Sequence, residues 1–234
     1  ALLFLCAGSI IHSMHHQQDI RFYGGLRKKL PITFYSMLIG TLAITGLGIP
    51  LSYDLFHLPI GFAGFVSKDA IIEGIYASKN ESAFIYFLLI TICTLLTSLY
   101  SWRLIILTFF GDYKGKIEHF NHAVEDSRPI NFTLIFLSIC SILVGVIFYD
   151  IFLGKNAEYF FSRSLFISPD NTVFYDLHYI PTWAKITPFL ATIAGLFLAL
   201  YFYVMKPKLT QIVSNNQKIL YQFLLNKWYF DELY

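Results

Sequence analysis

The residues best suited to chemistry in this sequence are Lys68, Asp69 and Glu73, set in the otherwise apolar run from Ile60 to Ala77. A lysine at the centre of a membrane helix costs roughly 2.5–3.5 kcal/mol by insertion scales. Low-dielectric surroundings disfavour an ammonium, so an amine placed there is suited to gaining and losing a proton near neutral pH. Asp69 is a counter-charge adjacent in sequence, but neighbours at i and i+1 do not face one another on a helix. Asp69 and Glu73, at i and i+4, do share a face. The competing account makes Ser67, Lys68 and Asp69 the capped start of an ordinary surface helix, with Lys68 snorkelling to water.

Other polar groups carry weaker signals. His12, His15 and His16 stand at i, i+3 and i+4, which could put two metal ligands on one helix face, or leave three histidines at a membrane interface next to the basic segment QQDIRFYGGLRKKLP. Arg103 lies about two turns from the end of its apolar run, close enough to snorkel. Thr91, Thr94, Thr97, Ser98 and Ser101 give the same run a polar stripe that either lines a hydrated path or hydrogen-bonds neighbouring helices. Cys6, Cys93 and Cys140 sit inside apolar runs without metal or redox spacing and read as packing residues. The sequence contains no glycine-rich phosphate loop, nucleotide fingerprint or hydrolase order. Any catalysis must therefore involve ions or other subunits.

The elements that would hold these groups are membrane helices. Of 234 residues, 56% are hydrophobic, 18% aromatic and only 14% charged, against roughly a quarter charged in soluble domains. A net charge of +2 with scattered basic residues gives no footprint for nucleic acid. The opening ALLFLCAGSII is about a dozen residues, short of the roughly 20 that a crossing needs, and is expected to be the tail of a helix that starts upstream. The closing KWYFDELY is likewise expected to run on into further chain. Transmembrane character recurs over 32–49, 60–77, 83–110, 131–149 and 186–204.

Charge decides how often these segments cross. If 32–49 and 60–77 form one interrupted crossing, the loops 15–30 and 111–129 and the tail from 205 share a side holding 11 Lys and Arg residues. Only Lys79, Lys155, Arg163 and Lys185 fall opposite, an 11 to 4 split that obeys the positive-inside rule. Two full crossings give 8 against 7 and erase the asymmetry. The intervening GLGIPLSYDLFHLPIGFAG cannot be a continuous helix. Irregular backbone at membrane depth is tolerated where it is buried in protein or lines a watery cavity, and broken helices recur in ion transporters. The alternative is a plain loop outside the membrane. The fold expected is all-α, a polytopic transmembrane bundle with a discontinuous helix over 1–204, followed by a segment 205–234 on the basic side. The aromatic stretch 152–182 suits an interfacial belt, and 209–225 a helix lying on the surface.

Four motifs, IHSMHHQQDIRFYGGLRKKLPITF, GFAGFVSKDAIIEG, TSLYSWRL and NKWYFDELY, resemble in order and spacing the large antiporter-like membrane subunit of respiratory complex I. The resemblance covers nearly the whole chain. It implies proton translocation coupled to quinone reduction, with Lys68 as the broken-helix lysine of the distal half-channel and Asp69 as its adjacent acid. It implies no redox cofactor in this chain, since NADH, FMN, iron-sulfur clusters and quinone are held by other subunits. It further implies membrane-arm subunits and the lipid bilayer as partners, in a bacterial cytoplasmic membrane or the mitochondrial inner membrane. Further histidines and a lysine of the proton path, the first half-channel's glutamate and lysine, and a lateral helix after FDELY are expected outside this stretch. The connection SYDLFHLPI looks longer than the family's usual one, and its Asp54 and His57 either extend the hydrated path or lie at its mouth. Ala70 stands where relatives often carry an acid, with Glu73 one turn on as a substitute. A large subunit of a multisubunit sodium/proton antiporter is the competing family reading, and an inert fragment of a split gene a third. The SKD sequence and the KWYFDELY tail favour complex I.

Overall fold

The structure is a computed structural model that describes residues 1–234 apart from 79, 155, 163, 165–167 and 169–171. Lys79, Lys155 and Arg163, three of the four residues on the lightly charged side, lie outside the described residues. The described chain is helical. The first helices are α1 (Leu2–Ser13), α2 (Pro31–Thr45), α3 (Ser52–Phe56), α4 (Ala63–Ala77) and α5 (Ala83–Phe109). They are followed by α6 (Ile117–His122), α7 (Arg128–Ile147), and the short turns α8 (Tyr149–Phe152), α9 (Ala157–Phe161) and α10 (Val173–Asp176). The long α11 (Thr182–Leu200) leads to α12 (Lys208–Asn216), α13 (Lys218–Leu225) and α14 (Phe230–Leu233). Three described helices are long and apolar enough to cross a membrane: α5, α7, and α11 with its π-helical extension to Met205.

Helices α2 and α4 have 15 residues each, about 22 Å at 1.5 Å per residue, too short for a 30 Å hydrocarbon layer. Both are shorter than the 18-residue segments of the sequence reading. The glycine-containing ends that were counted with the segments, 46–49 and 60–62, belong to the connection instead. Helix α5 has 27 residues, about 40 Å, and runs alongside both. At one end Phe34 of α2 meets Phe109, with ring centroids 5.0 Å apart. At the other, Tyr76 of α4 meets Phe87 at 5.3 Å. The two short helices together therefore match one antiparallel length of α5, which is the single interrupted crossing that the charge split implied.

The ends of the bundle agree with that split. Loops 15–30 and 111–129 meet where Lys29 Nζ donates to the Asn121 carbonyl at 3.2 Å, and the end of α1 joins them where His12 Nδ1 lies 2.7 Å from Asp126 Oδ1. The tail reaches the same end, where the Arg103 guanidinium sits 5.7 Å from the centroid of the Tyr203 ring. Trp183, at the start of α11, packs edge-on to Tyr76 and Phe87 at the opposite end. A core of Cys6, Ile10, Met14, Leu26, Leu30, Phe34, Met37, Ile105, Phe109 and Leu134 knits α1, α2, α5 and α7 at the basic end. In a bilayer such side chains join helices by close van der Waals packing rather than by escape from water. The segment 209–225 is two exposed helices interrupted at Gln217, not the single surface helix that its mixed pattern suggested.

Candidate functional site

The break is built from glycine. Helix α2 ends on Gly46 in the left-handed conformation (φ 73°), where its N–H donates to the Ala43 carbonyl at 3.1 Å and the Leu47 N–H to that of Leu42 at 3.0 Å. Glycine adopts this conformation without the Cβ penalty, so the helix closes cleanly there. The chain then makes an excursion over residues 47–62 that contains α3. Its two ends are fastened by an antiparallel bridge between Gly48 and Gly61, with Ile49 N–H donating to Ile60 O at 2.8 Å and Phe62 N–H to Leu47 O at 3.1 Å. The Ser52 hydroxyl accepts from the Ile60 amide at 2.9 Å. Helix α4 thus starts beside the point where α2 stopped. Gly64 lies so close to the Ala43 carbonyl that any Cβ would collide with it.

Lys68 sits in the second turn of α4, and its methylene chain passes 3.4 Å from where a Cβ on Gly46 would stand. Its ammonium nitrogen is sealed from solvent and has no hydrogen-bond partner among the described residues. That excludes the snorkelling account, in which the amine would reach water. The exposed carbonyl end of α2 is covered from the other side by α11. The Thr192 hydroxyl donates to Thr45 O at 3.0 Å, and the Ser98 hydroxyl of α5 donates to Thr192 O at 2.6 Å. Ser98 of the polar stripe is therefore a helix-to-helix bond at the break, while Thr91, Thr94 and Thr97 return their hydroxyls to carbonyls one turn back in α5.

Asp69 and Glu73 turn away from the lysine. Both line a cavity of about 100 Å³ walled by α4, the 50–59 segment, Tyr149 and the start of α11. Asp54 of α3 lines it as well and forms an ion pair with Lys185 of α11, Nζ to Oδ2 2.7 Å. Tyr53 and Tyr149 close one side, their ring centroids 4.6 Å apart. Asp54 and Glu73 thus come together with Asp69, whereas Lys68, His57 and Arg103 do not line this cavity. His57 is exposed, its ring 6.4 Å from that of Tyr53, and Arg103 is exposed at the basic end.

Two participants escaped the sequence reading. Lys185 was counted only as a loop charge, and nothing local links it to Asp54, 131 residues away. Glu125 accepts the Ile32 N–H at 2.6 Å, the Thr33 N–H at 3.2 Å and the Thr33 hydroxyl at 2.9 Å. It thereby caps the start of α2 from a distant loop. His12, read as a possible ligand, is held by Asp126, and His15 lies against His119 with ring centroids 4.7 Å apart.

An all-α membrane bundle with one interrupted crossing is an architecture consistent with the antiporter-like class of membrane subunit. Residues 1–99, which include α1, the broken crossing and the first turns of α5, match the family described as NADH:quinone oxidoreductase/Mrp antiporter, TM, and belong to it. The NADH-quinone oxidoreductase subunit L of Rhodobacter capsulatus is 38% identical over 289 aligned positions that cover 100% of this chain and 40% of that protein. The NADH-ubiquinone oxidoreductase chain 5 of Phytophthora infestans is 36% identical, over 100% of this chain and 34% of its own length. That of Acanthamoeba castellanii is 34% identical, over 100% and 33%. The likeness carried by the four motifs therefore holds over the whole chain, which spans 33–40% of the length of these curated relatives.

Proposed function

We propose that this chain is part of a proton-translocating membrane subunit of NADH:quinone oxidoreductase, contributing the distal half-channel that couples quinone reduction to pumping. The observation that carries this reading is the Lys68 amine, buried at the helix break without a hydrogen-bond partner among the described residues. An ammonium with no counter-charge in contact is costly at that depth, so the site favours an amine that takes up a proton only when one is delivered. Asp69 and Glu73, one and five residues on, carry the proton from Lys68 toward the cavity at the lightly charged end. Arg103 and His57 have supporting positions at the bundle's ends.

In this reading the chain holds no redox cofactor. NADH, FMN, iron-sulfur clusters and quinone belong to other subunits, and membrane-arm subunits and lipid surround it. Residues 1–204 form the transmembrane part, and 205–234 lead away on the basic, cytoplasmic side. The membrane is the bacterial cytoplasmic membrane, or the inner membrane for a mitochondrial chain. The sodium/proton antiporter reading keeps the support of a family description that covers both, and the SKD and KWYFDELY motifs favour the oxidoreductase.

The test is Lys68→Ala in the intact subunit, with NADH-driven proton uptake measured in membrane vesicles and assembly followed through NADH oxidation by the complex. Loss of pumping in an assembled complex is expected. Normal pumping would remove Lys68 from the mechanism.

A further inference from the structure

The Asp54–Lys185 pair is asymmetric. The Asp54 side chain is 43% exposed and that of Lys185 only 11%, so the carboxylate looks outward and the ammonium inward. Behind the ammonium lies the cavity with Glu73 and Asp69. Lys185 of α11 and Glu73 of α4 line it together. Among the described residues that line this space, Lys185 is the one cation against three carboxyl groups. The walls next to them are Pro50, Pro59, Phe65, Val66, Leu153 and Leu177. In such surroundings an unpaired charge is costly, and a single ammonium cannot neutralise three carboxylates at once.

We infer that Lys185 is a switch cation at the outer mouth of the proton path, pairing alternately with Asp54 and Glu73 and so timing release. The inference rests on the proposed path through Lys68. With Lys185 on Asp54, as here, Glu73 holds a proton received from the Asp69 side. Protonated Glu73 passes its proton through water to the Asp54 carboxylate. Asp54 is then neutral, Glu73 is ionised, and the ammonium moves from the first to the second. Asp54 loses its proton to the outer solution. The next proton to reach Glu73 sends Lys185 back. The cavity carries one ion pair at each stage, and Lys185 itself stays protonated. It is a positioning residue, not a carrier.

The experiment uses the assembled complex in vesicles and reads protons moved per NADH oxidised, as a function of pH in the receiving compartment. Lys185→Met is expected to lower that ratio at least about tenfold, the scale on which mispositioned reacting groups slow a step, and Lys185→Arg to retain most of it. Asp54→Asn, at an exposed position, keeps the test available if Lys185→Met fails to assemble, and is expected to flatten the pH dependence. The double variant Lys185→Met/Asp54→Asn separates switching from bracing. Removing both members of a merely structural pair is nearly neutral, so recovery of pumping in the double variant would overturn the inference, and continued loss supports it. Normal pumping in Lys185→Met and Asp54→Asn while Lys68→Ala is inactive would sink this inference alone. Normal pumping in Lys68→Ala would sink the path on which it rests.

Discussion

The hydroxyl of Thr192 donates to the main-chain carbonyl of Thr45 at 3.0 Å, joining α11 to the broken end of α2. Thr192 is buried, and Thr45 is the last helical residue before the left-handed Gly46. The bond satisfies a carbonyl that the ended helix can no longer use. Valine has the same shape without the donor, so Thr192→Val leaves that acceptor buried and unpaired. A loss of about 1–3 kcal/mol is expected, read as lowered thermal stability of the subunit in detergent. Thr192→Ser should retain most of the wild-type value.

Helix α4 approaches α2 through Gly64, where a Cβ would meet the Ala43 carbonyl. Backbone cannot move aside as a flexible side chain can, so Gly64→Ala is expected to cost about 1–3 kcal/mol and to reduce the amount of assembled subunit in membranes. Gly8→Ala in α1 is the control, because nothing lies within 4 Å of a Cβ there.

Glu125 holds the first turn of α2 through two backbone amides and the Thr33 hydroxyl. Its removal in Glu125→Ala frees three groups at once. The expected loss is about 1–2 kcal/mol, the scale of a helix cap, with faster hydrogen exchange at Ile32 and Thr33. Glu125→Gln keeps one acceptor oxygen and is expected to fall between the two.

Outside the membrane, the Arg21 side chain and amide hold the Asp19 carboxyl below the usual carboxylate value, mainly through side-chain hydrogen bonds of 2.6–3.0 Å. The folded value is the lower one, so whatever this turn contributes is complete above the unfolded value of about 4. It is lost as pH falls further, through the folded value. Hydrogen exchange at the Arg21 amide should therefore lose protection only in acid, and Asp19→Asn should abolish that step.

Much of the architecture was legible because membrane topology is written in charge. The placing of 15–30, 111–129 and the tail at one end needed only a count of Lys and Arg, and Phe34–Phe109 with Tyr76–Phe87 supply the geometry. The site was legible in part. Helical spacing put Asp69 and Glu73 on one face and Asp69 away from Lys68, since adjacent residues point about 100° apart, and the cavity is lined by both acids and not by Lys68. It could not show that Asp54 faces Lys185, or that Glu125 caps a helix 92 residues earlier, because both contacts arise only when distant helices pack. Nothing in VEDS identified which amides its acids would serve. Helix lengths were overread for a different reason. Apolar residues at 46–49 and 60–62 look helical to hydropathy, while their glycines, flanked by Pro50 and Pro59, close a loop.

The Gly48–Gly61 bridge closes the 47–62 excursion at its base, leaving Asp54–Lys185 and Tyr53–Tyr149 to tie its body to the bundle. Its two roots stay side by side whatever lies between them, so residues can be inserted or deleted at its tip without shifting the register of the two half-helices. Evolution can thus lengthen or trim this insertion to adjust the outer vestibule while membrane thickness and the depth of Lys68 are left untouched.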